Sequence, residues 1–596
     1  MNQVLSAVQE AAATHGEGPA IIIAGPGSGK TFVITSRLRF LTERQKIPPE
    51  EILTITFTKA AARQMQERAF RLLKDRASGL AFGTFHSVFF SILKRKYHLS
   101  ADNILKPKQK YIIYDDIRRK LKLEGFDTWE FMAEISGFIS RAKLLGKEIP
   151  NPMLKEEEFA LALASYQEKL RERRLIDFDD MLLLCRKLFQ KCPEELGFWR
   201  NRFRYIQVDE FQDVSPIQYE LLRQLSAPDN NLFVVGDDDQ AIYGFRGATP
   251  GIMRAFQEDY PDAGEFYLTE NYRSAGSVVR SAGLVIRDNK DRIPKEFLPK
   301  REEGAPVALR QYPDKGTEVE GIIEAIRKLA GEGMDYMEMV ILLRTNSQAG
   351  AFAEALSGAG IPCRLQDRIP DLYSSMPAKD LFAYLEFAAG DCRRALFYKI
   401  MNKPLRYISR SALWDETASF LQLKQYYRGD ERMLRRIRNL EWDIRRLSLM
   451  KPYTAAHYLF HGMGYLEYLH DYAREKGCPL KPLLDQAADL LERARPYEDL
   501  AHWKEAIRRE QESRKDVTNG VQIMTMHGSK GLEFEAVFIP DLNEGNVPYH
   551  KAVSRPELEE ERRLLYVGMT RAKAKLFLSC IHTAPSRFLQ PLMMGR

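Results

Sequence analysis

The octapeptide Ala24-Gly25-Pro26-Gly27-Ser28-Gly29-Lys30-Thr31 constrains this chain more than any other feature. It follows an apolar run, Ala20–Ala24, and precedes a stretch with helix-like spacing. Strand, glycine-rich loop and helix in that order form the context of a phosphate-binding loop. Glycines let backbone N–H groups turn toward a β-phosphate, the lysine reaches the β- and γ-phosphates, and the threonine hydroxyl holds Mg²⁺. All eight residues are therefore expected to bind ATP, with Lys30 also serving hydrolysis and Thr31 the metal. Ala24 stands where the strict pattern has Gly.

Phosphoryl transfer also needs a carboxylate for the metal and a group that activates water. Val208-Asp209-Glu210-Phe211-Gln212-Asp213 supplies both at the end of a second apolar run. Asp209 is expected on the metal and Glu210 on the attacking water.

At 596 residues the chain is long enough for several domains. Its net charge of +7 permits nucleic acid without requiring it. Asp391–Lys515 alone carries as large a basic excess as the whole chain. The six cysteines form no C-x-x-C pair, so the sequence supports neither a zinc nor an iron–sulfur site. Residues 1–19 lack a signal-peptide pattern, and no apolar run approaches membrane-spanning length. The expectation is a cytoplasmic protein with no membrane partner.

Further apolar runs at Tyr205–Val208, Leu232–Val235, Val340–Leu343 and Ala536–Ile539 read as buried parallel strands. Two stretches rich in Lys, Arg, Leu and Glu interrupt them. The expected organisation is a first α/β domain from 1–92 and 175–272, with a helical insertion at 93–174. A second α/β domain from 273–390 and 516–596 carries a helical insertion at 391–515.

Further motifs occur in a fixed order. They are Thr56-Phe57-Thr58-Lys59, Gly83-Thr84-Phe85-His86-Ser87, Asp177-Phe178-Asp179-Asp180 and Val235-Gly236-Asp237-Asp238-Asp239-Gln240-Ala241-Ile242-Tyr243-Gly244-Phe245-Arg246-Gly247. Then come Leu268-Thr269-Glu270-Asn271-Tyr272-Arg273, Thr525-Met526-His527-Gly528-Ser529-Lys530-Gly531-Leu532-Glu533 and Glu560-Glu561-Arg562-Arg563-Leu564-Leu565-Tyr566-Val567-Gly568-Met569-Thr570-Arg571. Together they resemble the UvrD/Rep/PcrA type of superfamily 1 helicase, from about residue 5 to 590; the two insertions match more weakly.

The resemblance implies two RecA-like P-loop NTPase domains, each with a mainly helical insertion, and ATP between them. It implies that Arg273 and Arg571 are arginine fingers and that Gln240 senses the γ-phosphate. Tyr272 would stack on adenine, Gln9 would read the adenine edge, and Glu533 would contact the ribose. Phe57, Tyr243 and Phe245 fall at base-stacking positions, while His86, Arg246, Asn346 and Tyr549 fall along the strand. The implied activity is ATP-dependent translocation on single-stranded DNA, 3′ to 5′, with unwinding at single-strand/duplex junctions. The alternative is a translocase that displaces proteins and unwinds little.

There are departures. Phe32 follows the phosphate loop where the family often has Arg. Tyr549 takes the place of the family's usual His, with His550 next, so either ring can be the one that meets DNA. The second insertion is short, and the pathway is not legible.

Overall fold

The computed structural model describes residues 4–121, 123, 128–146, 154–244, 251–365, 372–476, 480–515 and 519–594. Two six-stranded parallel sheets organise it. The first holds β1 (Ala20–Ala24), β2 (Ile52–Thr56), β3 (Ala81–Thr84), β4 (Tyr205–Val208), β5 (Leu232–Gly236) and β6 (Gly264–Leu268), in the order β3-β2-β4-β5-β1-β6. Helices cover both faces, so β1, β2, β4 and β5 are buried throughout. That explains the continuous apolar runs of β1 and β5, since a half-solvated strand would alternate; in β2 and β4 the buried Thr54 and Gln207 bond to each other at 3.4 Å. Parallel strands end on one edge, where ligands of such sheets gather. The loops after β1, β4 and β5, which carry Lys30, Glu210 and Gln240, all leave that edge.

A short pair, β7 (Glu270–Asn271) and β8 (Leu298–Pro299), leads to the second sheet. Its strands are β9 (Ala308–Tyr312), β10 (Met339–Leu343), β11 (Cys363–Leu365), β12 (Val521–Thr525), β13 (Phe534–Ile539) and β14 (Ala572–Ile581), ordered β11-β12-β10-β13-β14-β9. The buried helix Arg555–Met569 packs on this sheet and delivers Arg571 to the start of β14.

Two helical sets have cores of their own. One spans Ile113–Leu175 and includes Tyr114, Phe131 and Tyr166. The other spans Ala378–Trp503 and includes Tyr384, Leu440 and Tyr465. The helix Met376–Ala388 packs into this second helical core. A buried ion cluster ties the first set to its sheet domain. Lys143 Nζ lies 2.6 Å from Asp177 Oδ2 and 2.8 Å from Asp180 Oδ1, and the Tyr166 hydroxyl donates to Asp177 at 2.9 Å. Among the described residues no helix is long and apolar enough to cross a membrane.

Candidate nucleotide and DNA site

The phosphate loop turns through left-handed backbone at Gly27 (φ 68°) and Gly29 (φ 87°), which glycine adopts without strain. A Cβ on Gly27 would lie 2.6 Å from the Cβ of Arg273, so the loop is closely apposed to the segment bearing that arginine. Asn271 Nδ2 donates to the Pro26 carbonyl at 2.7 Å, and the Tyr272 N–H to the Gly27 carbonyl at 3.0 Å. Gly29 caps the helix Lys30–Arg39 without any side-chain acceptor, leaving its first N–H groups for an anion. Lys30 Nζ is buried with no hydrogen-bond partner, 3.8 Å from Glu210 Oε2. An orphaned buried ammonium above a glycine loop fits a phosphate group.

Glu210 sits in left-handed backbone (φ 53°), a conformation that costs a non-glycine residue about 1–3 kcal/mol and clusters at functional sites. Burial opposes its ionisation, but Lys30 and Lys530 reverse that and hold its carboxyl well below the usual range. Burial and the neighbouring Glu210 charge push Asp209 upward instead. A divalent cation beside Asp209 would offset both effects, so the pair suits Mg²⁺.

The opposite wall comes from the second sheet domain. Arg571 is buried; its Nη2 donates to Gln240 Oε1 at 3.3 Å and to Thr570 Oγ1 at 3.1 Å. Burial, and then Arg273 nearby, pull its pKa down to about 9. Two guanidinium groups this close are stabilised by an arriving anion. Arg273 pairs with Glu533 at 3.0 Å and donates to the Thr570 carbonyl at 3.2 Å.

Gln9, Ser28 and Tyr272 line one cavity of about 170 Å³. The Gln9 amide donates to the Ser28 carbonyl at 2.9 Å and accepts the Ser6 N–H at 2.9 Å. It keeps one N–H and one lone pair for a base edge. Glu533 is absent from this lining; it pairs with Arg273 and with Lys573 at 3.1 Å.

On the adjoining face Phe57 and Tyr243 stack, with centroids 4.8 Å apart and planes 14° from parallel. His86 meets Phe178 edge-on at 5.0 Å. Arg344 lies over the Tyr549 ring at 4.8 Å, and Tyr549 and His550 are 4.2 Å apart. Asn346 is exposed at the end of β10. Phe245 and Arg246 lie outside the described residues.

Residues 5–261 match the family described as UvrD/REP helicase N-terminal domain, and residues 266–583 the UvrD-like helicase C-terminal domain. The chain belongs to the UvrD-like helicase family. It is 34% identical to YjcD of Bacillus subtilis, over 99% of this chain and 81% of that one. It is 31% identical to the ATP-dependent DNA helicase PcrA of Staphylococcus aureus, over 97% and 84%. The same identity, over 99% and 86%, holds for PcrA of Staphylococcus epidermidis.

Two residues of this UvrD-like helicase escaped the sequence reading. Lys530 reaches from the second domain into the carboxylate cluster of the first. Its Nζ is 2.5 Å from Asp213 Oδ2, 2.8 Å from the Gln240 carbonyl and 4.0 Å from Glu210 Oε2. Phe178 is 59% exposed beside His86. For Phe178 the available signal was an aromatic residue set among carboxylates in Asp177-Phe178-Asp179-Asp180; for Lys530 no spacing gives its partner.

Proposed function

We propose that this protein is an ATP-driven DNA helicase that moves 3′ to 5′ on single-stranded DNA and opens duplex at junctions. The observation that carries the reading is the meeting of two walls in one cleft. Lys30, Asp209, Glu210 and Gln240 come from the first sheet domain, and Arg273, Arg571 and Lys530 from the second. Polarity is taken from the family.

Bound ATP would rest on the loop from Ala24 to Thr31, with adenine between Gln9 and Tyr272. Mg²⁺, held by Thr31 and Asp209, would neutralise phosphate charge. Lys30 binds the β- and γ-phosphates, and Glu210 accepts the proton of the attacking water. Gln240 orients that water or the γ-phosphate. Arg273 and Arg571 stabilise the charge that develops on the transferred group, a contribution specific to the transition state. Because these residues belong to opposite walls, nucleotide favours the closed cleft and hydrolysis releases it.

Phe57, Tyr243 and Phe178 would supply the aromatic track for bases, with His86, Asn346 and Tyr549 beside it; the resemblance assigns Phe245 to stacking and Arg246 to the strand as well, and both lie outside the described residues. Stacking tolerates any sequence and is worth about 1–3 kcal/mol per base. We take the helical regions within 93–174 and 372–515 as insertions, the second starting near Met376 because the helix from that residue packs into its core.

The test is phosphate release with and without single-stranded DNA, followed by strand displacement from substrates with a 3′ or a 5′ tail. Stimulation by DNA and unwinding only from the 3′ tail support the reading. Stimulated turnover without unwinding would leave a translocase that displaces proteins.

A further inference from the structure

Residues Asn289–Pro299 cross the back of the nucleotide site as a strap. At one end Asn289 Nδ2 donates to the Glu559 carbonyl at 2.9 Å, and Arg563 donates to the Asp291 carbonyl at 2.8 Å. This fixes the strap to the helix that delivers Arg571. At the other end the Leu298 N–H donates to the Thr269 carbonyl at 2.9 Å. The Phe297 ring packs so tightly on Gly25 that a Cβ there would lie 2.2 Å away.

Between these anchors the strap meets three consecutive buried carboxylates, Asp237, Asp238 and Asp239. Arg292 holds Asp239 with two bonds of 2.9 and 2.7 Å. Lys295, with its side chain 1% exposed, reaches all three: Nζ is 3.2 Å from Asp237 Oδ1, 2.9 Å from Asp239 Oδ2, and also bonded to Asp238. Lys295 is the one cation that these three buried carboxylates share among the described residues, with Arg292 adding to Asp239 alone.

Asp237 is the junction. Its Oδ2 accepts Gln240 Nε2 at 2.6 Å, and its N–H donates to Gln212 Oε1 at 3.0 Å. Gln240 presents its NH₂ to Asp237 Oδ2 and its carbonyl to Arg571, whose guanidinium can only donate. The charge on Lys295 thus reaches the reacting end of the cleft through two bonds.

We propose that Lys295 is a positioning residue for ATP hydrolysis: by holding one oxygen of the Asp237 carboxylate, it sets where the other oxygen holds the Gln240 amide against Arg571. The role rests on the ATPase reading above and adds to it a residue that touches no nucleotide.

A double-mutant cycle on the full chain tests it, using Lys295→Met, Gln240→Ala and the pair. Turnover is measured at saturating ATP and single-stranded DNA, and ADP affinity with a fluorescent ADP analogue. Lys295→Met should lower kcat about tenfold or more while ADP affinity stays within about twofold, and Lys295→Arg should recover most of the loss. Residues acting as a unit are non-additive, so the pair should turn over no more slowly than Gln240→Ala alone. If Lys295→Met fails to fold, Lys295→Met/Asp238→Asn removes one carboxylate with the cation and enters the same cycle. Parental kcat in the lysine variant, or a loss in the pair equal to the product of the single losses, overturns the proposal. A parent chain without DNA-stimulated turnover would instead defeat the ATPase reading beneath it.

Discussion

Lys530 places its ammonium group 5.0 Å from the centre of the Tyr243 ring. The same group is 4.0 Å from Glu210 Oε2, so a single side chain from the second domain touches both the Tyr243 ring and the Glu210 carboxylate. Burial disfavours its charge, but Asp213 and Glu210 outweigh burial and raise its pKa, so it stays a cation. A base that displaced Tyr243 from its stack would alter the surroundings of this cation. Lys530→Met should therefore cut DNA stimulation of turnover by about tenfold or more, with single-strand affinity changed far less. Stimulation equal to the parent would disconnect Tyr243 from the carboxylates.

Glu210→Gln should bind ATP as the parent does and lose turnover by about 10²–10⁴-fold, the usual contribution of a general base. Nucleotide binding by fluorescence and phosphate release separate the two effects. Lys30→Ala should weaken both binding and turnover, since its ammonium serves bound and reacting nucleotide alike.

Phe57→Ala removes half of the stack with Tyr243. Single-strand affinity should fall by about 1–3 kcal/mol with little change in its salt dependence, because stacking releases no counterions. Binding titrations at several salt concentrations provide the check. A flatter salt slope would mean that phosphate contacts were lost instead.

Lys143→Met should destabilise the first helical insertion, because it strands Asp177 and Asp180 beside a side chain only 2% exposed in the parent. Breaking a buried pair typically costs about 3–5 kcal/mol. The effect is read as a lower denaturation midpoint, and it should not follow ATP concentration.

The motifs of the candidate nucleotide site were legible because each of them is local. A strand, three glycines and Lys30-Thr31 declare themselves within a dozen residues, and Asp209-Glu210 follows a short, fully buried strand. What stayed hidden is contact between distant segments. Lys295 lies more than fifty residues from Asp237–Asp239, and Lys530 more than three hundred from Asp213; nothing in their spacing predicts either meeting. The resemblance named Glu533 as a ribose contact, while its position here pairs it with Arg273. Periodicity could not tell whether Met376–Ala388 belongs to the sheet domain or to the helical insertion, since an amphipathic helix serves either. Its packing against the second helical core is a tertiary fact.

If the proposed function holds, hydrolysis needs groups from both walls of one cleft. The most direct measurement is phosphate release by Arg571→Ala at saturating ATP and single-stranded DNA, beside its affinity for ADP. Arg571 Nη2 touches Gln240 Oε1 of the first domain, 331 residues away in sequence. A two-walled site should leave ADP binding near parental and reduce turnover by about 10³-fold or more, the scale of other arginine fingers. Parental turnover in this variant would contradict it.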